Sequence, residues 1–384
     1  MAQLKIPEPI WLTNNADLAA ACQDWCAEAF IAVDTEFVRT KTYFPQAGLI
    51  QVASRQGSYL IDPLVIDDWQ PLAEVFEHPL VVKVFHACAE DLEVCRLLTG
   101  AVPAPLADSQ LAAALAGLGG SLGFQKIVKE LLRINLPKEE TRSNWLQRPL
   151  RDEQIRYAVA DVHYLHRLYP KLIKLLKSLQ RESWLSEECD RLVRQVQVPD
   201  DLSGLYRRIK LAWKLRPQEQ LVLQQLAVWR EQQARASDVP RGQICDDQSL
   251  WNIARFKARN RDQLAKAGMR PSIIRDHGKD VLKLVDQALK LDKQYWPKVL
   301  DKPLSPLAGQ WLKKLRAAAV EKAELLDIPP DLLVKKKMLE ALLRSGYPRG
   351  PFELPDELSG WRRAEIGDYL VRLLEECSRG ETTG

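Results

Sequence analysis

The chain has 384 residues, 46% of them hydrophobic and 28% charged, which excludes a disordered or fibrous protein and implies two or three domains. Its net charge of +4 hides an asymmetry: residues 201–292 carry 18 Lys and Arg against 11 Asp and Glu, whereas residues 1–200 carry 21 against 26. No charged-then-apolar leader opens the sequence, and its longest small-apolar stretch, Leu111–Gly120, is about half the ~20 residues that cross a bilayer, so a soluble cytoplasmic protein without a membrane partner is expected.

In chain order, Phe30–Phe37 (FIAVDTEF) is apolar and β-branched up to its acidic end and reads as a buried strand. Leu49–Ser54 and Ser58–Asp62 follow at hairpin-like distance, and Val81–His86 is a further short apolar strand. Helical periodicity occupies Glu90–Leu98, Leu122–Leu132 and Glu153–Leu179. The order β-β-β-α-β-α, then helices, predicts an α/β domain with a mixed sheet over residues 1–200. Strand signals stop after Gln197–Asp201, and two helical blocks follow, divided by the proline-rich span Trp296–Pro306.

The two blocks are weakly repetitive at an offset of 89 residues. Leu226 matches Leu315, Ala234 matches Ala323, Asp238 matches Asp327 and Pro240 matches Pro329, while Leu250 and Ile253 match Leu339 and Leu342. In each block an amphipathic helix stops at Asp-Val-Pro or Asp-Ile-Pro, where proline blocks continuation sterically. An acidic front joined to a basic middle suits a cation-loaded catalytic domain beside a polyanion-binding module.

Three short patterns carry chemistry. Asp34 and Glu36 are two apart on a strand, so both carboxylates project from one face and repel unless a cation lies between them. Asp91 falls in the first helical turn after the strand ending at His86, and Tyr157 and Asp161 are four apart on one helix face. Each pattern alone is commonplace; the ordered set is not. Four carboxylates without a thiolate ligand suit magnesium or manganese, which prefer oxygen donors, and two such ions can clamp the attacking and leaving oxygens of a phosphodiester. A tyrosine whose ordinary pKa is near ~10 is a poor base at neutral pH, so Tyr157 is assigned to orienting water.

These motifs resemble the DEDD 3′→5′ exonuclease superfamily, in the subclass with tyrosine in its third motif. Asp34–Phe37, Thr42–Pro45, Leu49–Gln51, Glu90–Leu92 and Trp145–Leu150 are similar to the ribonuclease D family, with Asn144 in place of a common aspartate. The resemblance implies a ribonuclease H-like exonuclease domain that uses two divalent ions to trim the 3′ ends of structured RNAs, such as tRNA precursors, and releases 5′-nucleoside monophosphates. It also implies that Asp34 bridges both ions, that Glu36 and Asp161 complete the nucleophile-side site, and that Asp91 acts around the second ion, mostly through water. Residues 207–292 resemble an HRDC domain through Leu226–Arg230, Val239–Arg241 and Ser249–Ala254, and residues 296–384 look like a divergent second copy, giving two small all-α domains.

Substrate contacts are expected from His86, Arg39, Tyr43 and Lys138, with Lys41, Arg142 and Arg148 also near the acidic motifs. The run Arg255, Lys257, Arg259 and Arg261, continued by Lys266 and Arg270, is basic with an interleaved aromatic and is expected to meet phosphates. His163 and His166 lack a third ligand nearby, and Gly278-Lys-Asp lacks the glycine of a phosphate loop, so neither is read as a site. The seven scattered cysteines form neither a zinc nor a disulfide pattern, and Cys22 and Cys26, four apart, are read as reduced packing residues. A DNA exonuclease of proofreading or repair type would use the same four acids, and a catalytically dead RNA-binding scaffold is the remaining alternative. The missing polymerase or helicase segment weighs against the first, and the intact carboxylate set against the second.

Overall fold

The computed structural model describes residues 6–136, 140, 143–197 and 201–381. The front of the chain runs β1 (Ile10–Leu12), α1 (Asn15–Trp25), β2 (Phe30–Val38), β3 (Gln46–Ala53), β4 (Ser58–Ile61), α2 (Gln70–Glu77), β5 (Val82–Phe85), α3 (Ala89–Thr99) and β6 (Leu106–Asp108). Helices α4 (Ser109–Leu115), α5 (Phe124–Leu132), α6 (Asp152–Ser178) and α7 (Glu182–Gln197) follow. The six strands lie in the order β1-β4-β3-β2-β5-β6, with β1 parallel to β4, β3 antiparallel to β4, and β2, β5 and β6 parallel. The mixed sheet is as expected. The edge strands β1 and β6 were not predicted, because three residues are too few to show a period.

Helix α6 crosses the sheet on the face that carries the acidic motifs. Ala32, Ala53 and Ala107 on that face are small enough to admit Val162 and Leu165 of the helix, so its backbone packs close to β2. Trp145, wholly buried, fills the neighbouring layer with Leu49, Leu60, Ala158 and Val159.

Arg148 holds the segment bearing Trp145. Its guanidinium donates to both Asp62 carboxylate oxygens, at 2.7 and 2.6 Å, and to the carbonyls of Gly48 and Trp145. That engagement corrects the expectation that Arg148 grips nucleic acid: it is a clamp within the fold. Burial raises the Asp62 pKa, but the arginine and the Leu64 amide outweigh it, and the net shift is downward. Gly48 is obligatory here because an added Cβ would lie 2.6 Å from the Cβ and carbonyl oxygen of Trp145. Gly48→Ala is therefore expected to destabilise by about 1–3 kcal/mol, read as a lower urea midpoint at unchanged slope.

The rest of the chain is helical: α8 (Pro217–Ala236), α9 (Arg241–Ile244), α10 (Asp247–Phe256), α11 (Arg261–Lys266), α12 (Pro271–Lys290), α13 (Pro306–Leu325), α14 (Pro330–Leu333), α15 (Lys336–Gly346) and α16 (Asp368–Glu381). Helices α13, α14 and α15 each begin 89 residues after α8, α9 and α10. Asp238 and Asp327, matched at that offset, both take positive φ, at 48° and 50°.

The described residues divide into two compact units, one drawn from 1–38, 47–198 and 304–384, the other from 39–46 and 199–303. Within the first, the core of the sheet and helices runs on into Trp311, Leu315, Leu339, Trp361 and Leu370. Within the second, Tyr43 packs among the residues of α8, α10 and α12. All seven cysteines are free, and no described helix is long and apolar enough to cross a membrane.

Candidate active site

Strand β2 is buried along most of its length and delivers Asp34 and Glu36 to the face covered by α6. Helix α6 begins where the Arg151 amide donates to the Gln154 side chain at 3.1 Å, and it presents Tyr157 and Asp161 one turn apart. Carboxylate oxygens of Asp34, Glu36 and Asp161 all lie within 4.8 Å of one another, the single such cluster among the described residues. His163 and His166 join no such cluster, and His166 stacks on Phe30 at 4.6 Å.

Asp91 stands beside the trio rather than in it. Its carboxylate accepts a 2.5 Å hydrogen bond from the Thr35 hydroxyl, which locks α3 to the strand between Asp34 and Glu36. Asp108, at the end of β6, accepts from the Cys88 amide at 2.9 Å and so fixes the turn from which α3 starts. Thr35 was missed in the sequence because nothing in D-T-E distinguishes a hydrogen-bonding middle residue from a spacer.

The electrostatics show how unfavourable the bare site is. Burial, then repulsion from Asp91, Asp161 and Glu36, pushes the Asp34 carboxyl far above the usual range. Burial and the charges of Asp161 and Asp91 raise Glu36 to about 9. Asp91 rises to about 6, chiefly through burial, against the lowering effect of Thr35. The same burial, with the charges of Asp161, Glu36 and Asp34 and a hydrogen bond to Asp161, pushes the Tyr157 phenol up. Tyr157 therefore stays protonated at neutral pH and donates to Asp161.

A pocket of about 220 Å³ opens over these groups, lined by Asp34, His86, Phe124, Tyr157, Asp161 and Leu165, among others. His86 is held by Ser109, whose hydroxyl lies 2.9 Å from Nδ1, and its ring meets Phe124 at 5.4 Å. Burial lowers the His86 pKa despite the nearby Asp108, which keeps the imidazole neutral at pH 7. Phe124 at the start of α5 was not anticipated: one aromatic at a helix start reads as core unless the fold turns it toward the acids.

The remaining substrate candidates are placed less uniformly. Tyr43 is only 7% exposed; its hydroxyl donates to Glu231, and Arg235 and Arg241 flank it. It is thus engaged in the helical unit and not available to stack on a base, contrary to expectation. Arg39 Nε donates to the Tyr43 carbonyl at 3.0 Å. Lys138 and Arg142 lie outside the described residues. Of the basic run, Arg255 pairs with the buried Glu219 at 3.0 Å and Lys257 bonds Gln218 at 2.9 Å, so both serve packing. Arg259, Arg261, Lys266 and Arg270 are exposed, and Arg270 donates to the Gly242 carbonyl.

The chain is similar to known exonucleases in sequence and in fold. Residues 9–177 match a family model described as 3'-5' exonuclease, and residues 219–285 match the HRDC domain model. The chain is 46% identical to ribonuclease D of Pseudomonas paraeruginosa, over 97% of this chain and 99% of the relative. It is 37% identical to ribonuclease D of Escherichia coli, over 95% and 98%. The crystal structure of Escherichia coli RNase D, described as an exoribonuclease involved in structured RNA processing, superposes with a TM-score of 0.90 at 34% identity, covering 96% of this chain and 99% of that one. The catalytic core of RRP6 from Trypanosoma brucei shares the fold at a TM-score of 0.54 and 23% identity, over 73% of this chain.

Proposed function

Since the chain belongs to the ribonuclease D family and is a 3′→5′ exoribonuclease, we propose that Asp34, Glu36, Asp91 and Asp161 hold two divalent ions, magnesium or manganese, and that the substrates are structured RNAs such as tRNA precursors with 3′ trailers. The observation that carries the metal assignment is the convergence of three carboxylates within 4.8 Å in a site that raises the pKa values of Asp34 and Glu36. An all-oxygen, anionic donor set with uncompensated repulsion fits hard divalent cations and no softer metal. Such ions, when bound, supply Lewis-acid polarisation of the phosphate and a more acidic water.

The protein's own groups have separate tasks. Tyr157, protonated and donating to Asp161, orients the attacking water by accepting from it at the phenolic oxygen. Neutral His86 and the ring of Phe124 wall the pocket in which the terminal nucleotide is positioned for attack. Thr35 positions Asp91. We assign residues 296–384 to a second, divergent HRDC-like domain on the strength of the 89-residue recurrence of helix starts, and the cytoplasm as the site of action.

The direct test offers the purified protein 5′-labelled RNA, matched DNA and a tRNA precursor with a 3′ trailer, under magnesium, manganese or EDTA. A ladder of shortened RNA that EDTA abolishes, with DNA spared, is the expected result; equal digestion of DNA would favour the repair-type reading. Tyr157→Phe is expected to lower kcat by about 10²-fold with KM nearly unchanged, the pattern of a group that acts only in the transition state. A rise in KM at constant kcat would instead make Tyr157 a substrate-binding residue.

A further inference from the structure

Phe256 is the last residue of α10 and is 73% exposed, an unusual place for a phenylalanine with no packing duty. Its neighbours are fixed. Arg255 on one side donates from Nη1 to both Glu219 oxygens, at 3.1 and 3.0 Å, and Lys257 on the other donates to Gln218 at 2.9 Å. Lys257 takes the left-handed conformation, φ 53°, that ends the helix, a position where most chains use glycine or asparagine. The two flanking cations therefore hold the backbone so that the ring between them points to solvent at little further entropic cost.

Exposed cations follow at once: Arg259, then Arg261 and Lys266 on α11. The internal repeat sharpens the contrast. At the position 89 residues on stands Ser345, whose hydroxyl donates to the Leu342 carbonyl and accepts from the Glu353 amide. The helical scaffold closes that position in one block and leaves an aromatic face open in the other, so the scaffold itself does not require the ring.

We propose that Phe256, with Arg259 and Arg261, forms a nucleobase-stacking platform for single-stranded RNA on the helical unit. The ligand class rests on the exoribonuclease reading; the platform does not depend on the catalytic carboxylates. A planar ring offers a π-face to any base, and guanidinium groups a few residues on meet the adjoining phosphates without reading sequence. The second role that could be imagined for an exposed Phe, contact with another protein, would not tolerate a run of like charges around it unless that partner were acidic.

The test measures binding of a 20-nucleotide RNA carrying 2-aminopurine to the full-length protein in EDTA, where cleavage is off. Phe256→Ala is expected to weaken binding by about 5- to 100-fold, following the worth of one stacked base, and to remove the quenching of 2-aminopurine. Phe256→Tyr should keep both, Phe256→Leu should lose the quenching, and Arg261→Gln should reduce the salt dependence of binding by roughly 0.7 in the log–log slope. Wild-type affinity and quenching in Phe256→Ala would overturn the proposal, as would equal affinity for Leu and Tyr variants. Melting temperatures check that each variant is folded. Magnesium-dependent trimming by the wild type is scored separately, so failure of the exonuclease reading and failure of the platform give different results.

Discussion

Asp34→Asn is expected to abolish trimming, by at least about 10³-fold or some 4 kcal/mol of transition-state stabilisation, and at the same time to raise the melting temperature of the metal-free protein. The two effects share one cause. Asp34 sits in a buried site where burial and the charges of Asp91, Asp161 and Glu36 raise its pKa, while burial and the charges of Asp161 and Asp91 raise that of Glu36. For Glu36, raised from 4.5 to about 9, the folded protein retains a proton that the unfolded chain has released. Between those two values the folded state binds more protons, so this contribution to stability is full below pH 4.5 and is lost as pH rises toward 9. Asp91, raised from 3.8 to about 6, adds a loss of the same sign earlier in the range.

Asp34 is itself raised well above the usual carboxylate range and adds a loss of the same sign that asparagine cannot make, so without metal the wild type should lose melting temperature relative to Asp34→Asn as pH goes from 5 to 9. The gap should amount to about 2–4 °C for each kcal/mol of repulsion relieved. Comparing the two proteins at each pH cancels the buried histidines His86, His163 and His166, whose lowered pKa values favour the opposite trend below neutrality. Magnesium should raise the wild type more than the mutant, because an ion that binds only the folded site stabilises it by mass action. A mutant that melts below the wild type in EDTA, or one that still trims RNA, would falsify this account of the site.

The second large effect is structural. Glu188 of α7 lies in the same compact unit as the C-terminal helices and is matched there by Arg362, which is 2% exposed. The guanidinium donates to both Glu188 oxygens and to the carbonyls of Leu333 and Leu332, at 2.8 and 2.7 Å. The Trp361 indole adds a 2.9 Å bond to Glu188, and its ring stacks on Trp184 at 4.4 Å. Desolvating such a pair is costly, and what makes it tolerable is that almost every donor and acceptor is satisfied.

Arg362→Ala leaves buried Glu188 with only the more distant Arg191, at 3.7 Å, as counter-charge and orphans two carbonyls, so a loss of about 3–5 kcal/mol is expected by chemical denaturation. Glu188→Gln/Arg362→Met should be milder than the sum of its single changes, since it removes both charges together. Strict additivity in that double-mutant cycle would mean the two residues do not act as a pair.

The sequence by itself determined the local geometry of the acidic motifs. Alternation along a strand puts Asp34 and Glu36 on one face, and a helical turn puts Tyr157 over Asp161; these are local geometries that any fold must respect. The principal strands and helices were legible for the same reason, as was the 89-residue spacing of the helical blocks. What tertiary structure decided is which charges meet. Thr35 as the partner of Asp91, Phe124 as the pocket wall and Arg148 as a clamp on Asp62 depend on residues 56, 38 and 86 positions away from the nearest partner named. Tyr43 and Arg255 show the same limit from the other side: their types suit nucleic acid, yet each is engaged by an acid, Glu231 or Glu219, that only the fold brings near. Side-chain type and local period are written in the chain, but whether a cation faces solvent or a buried carboxylate is settled by long-range packing, where the cost of leaving a buried charge unpaired selects the partner.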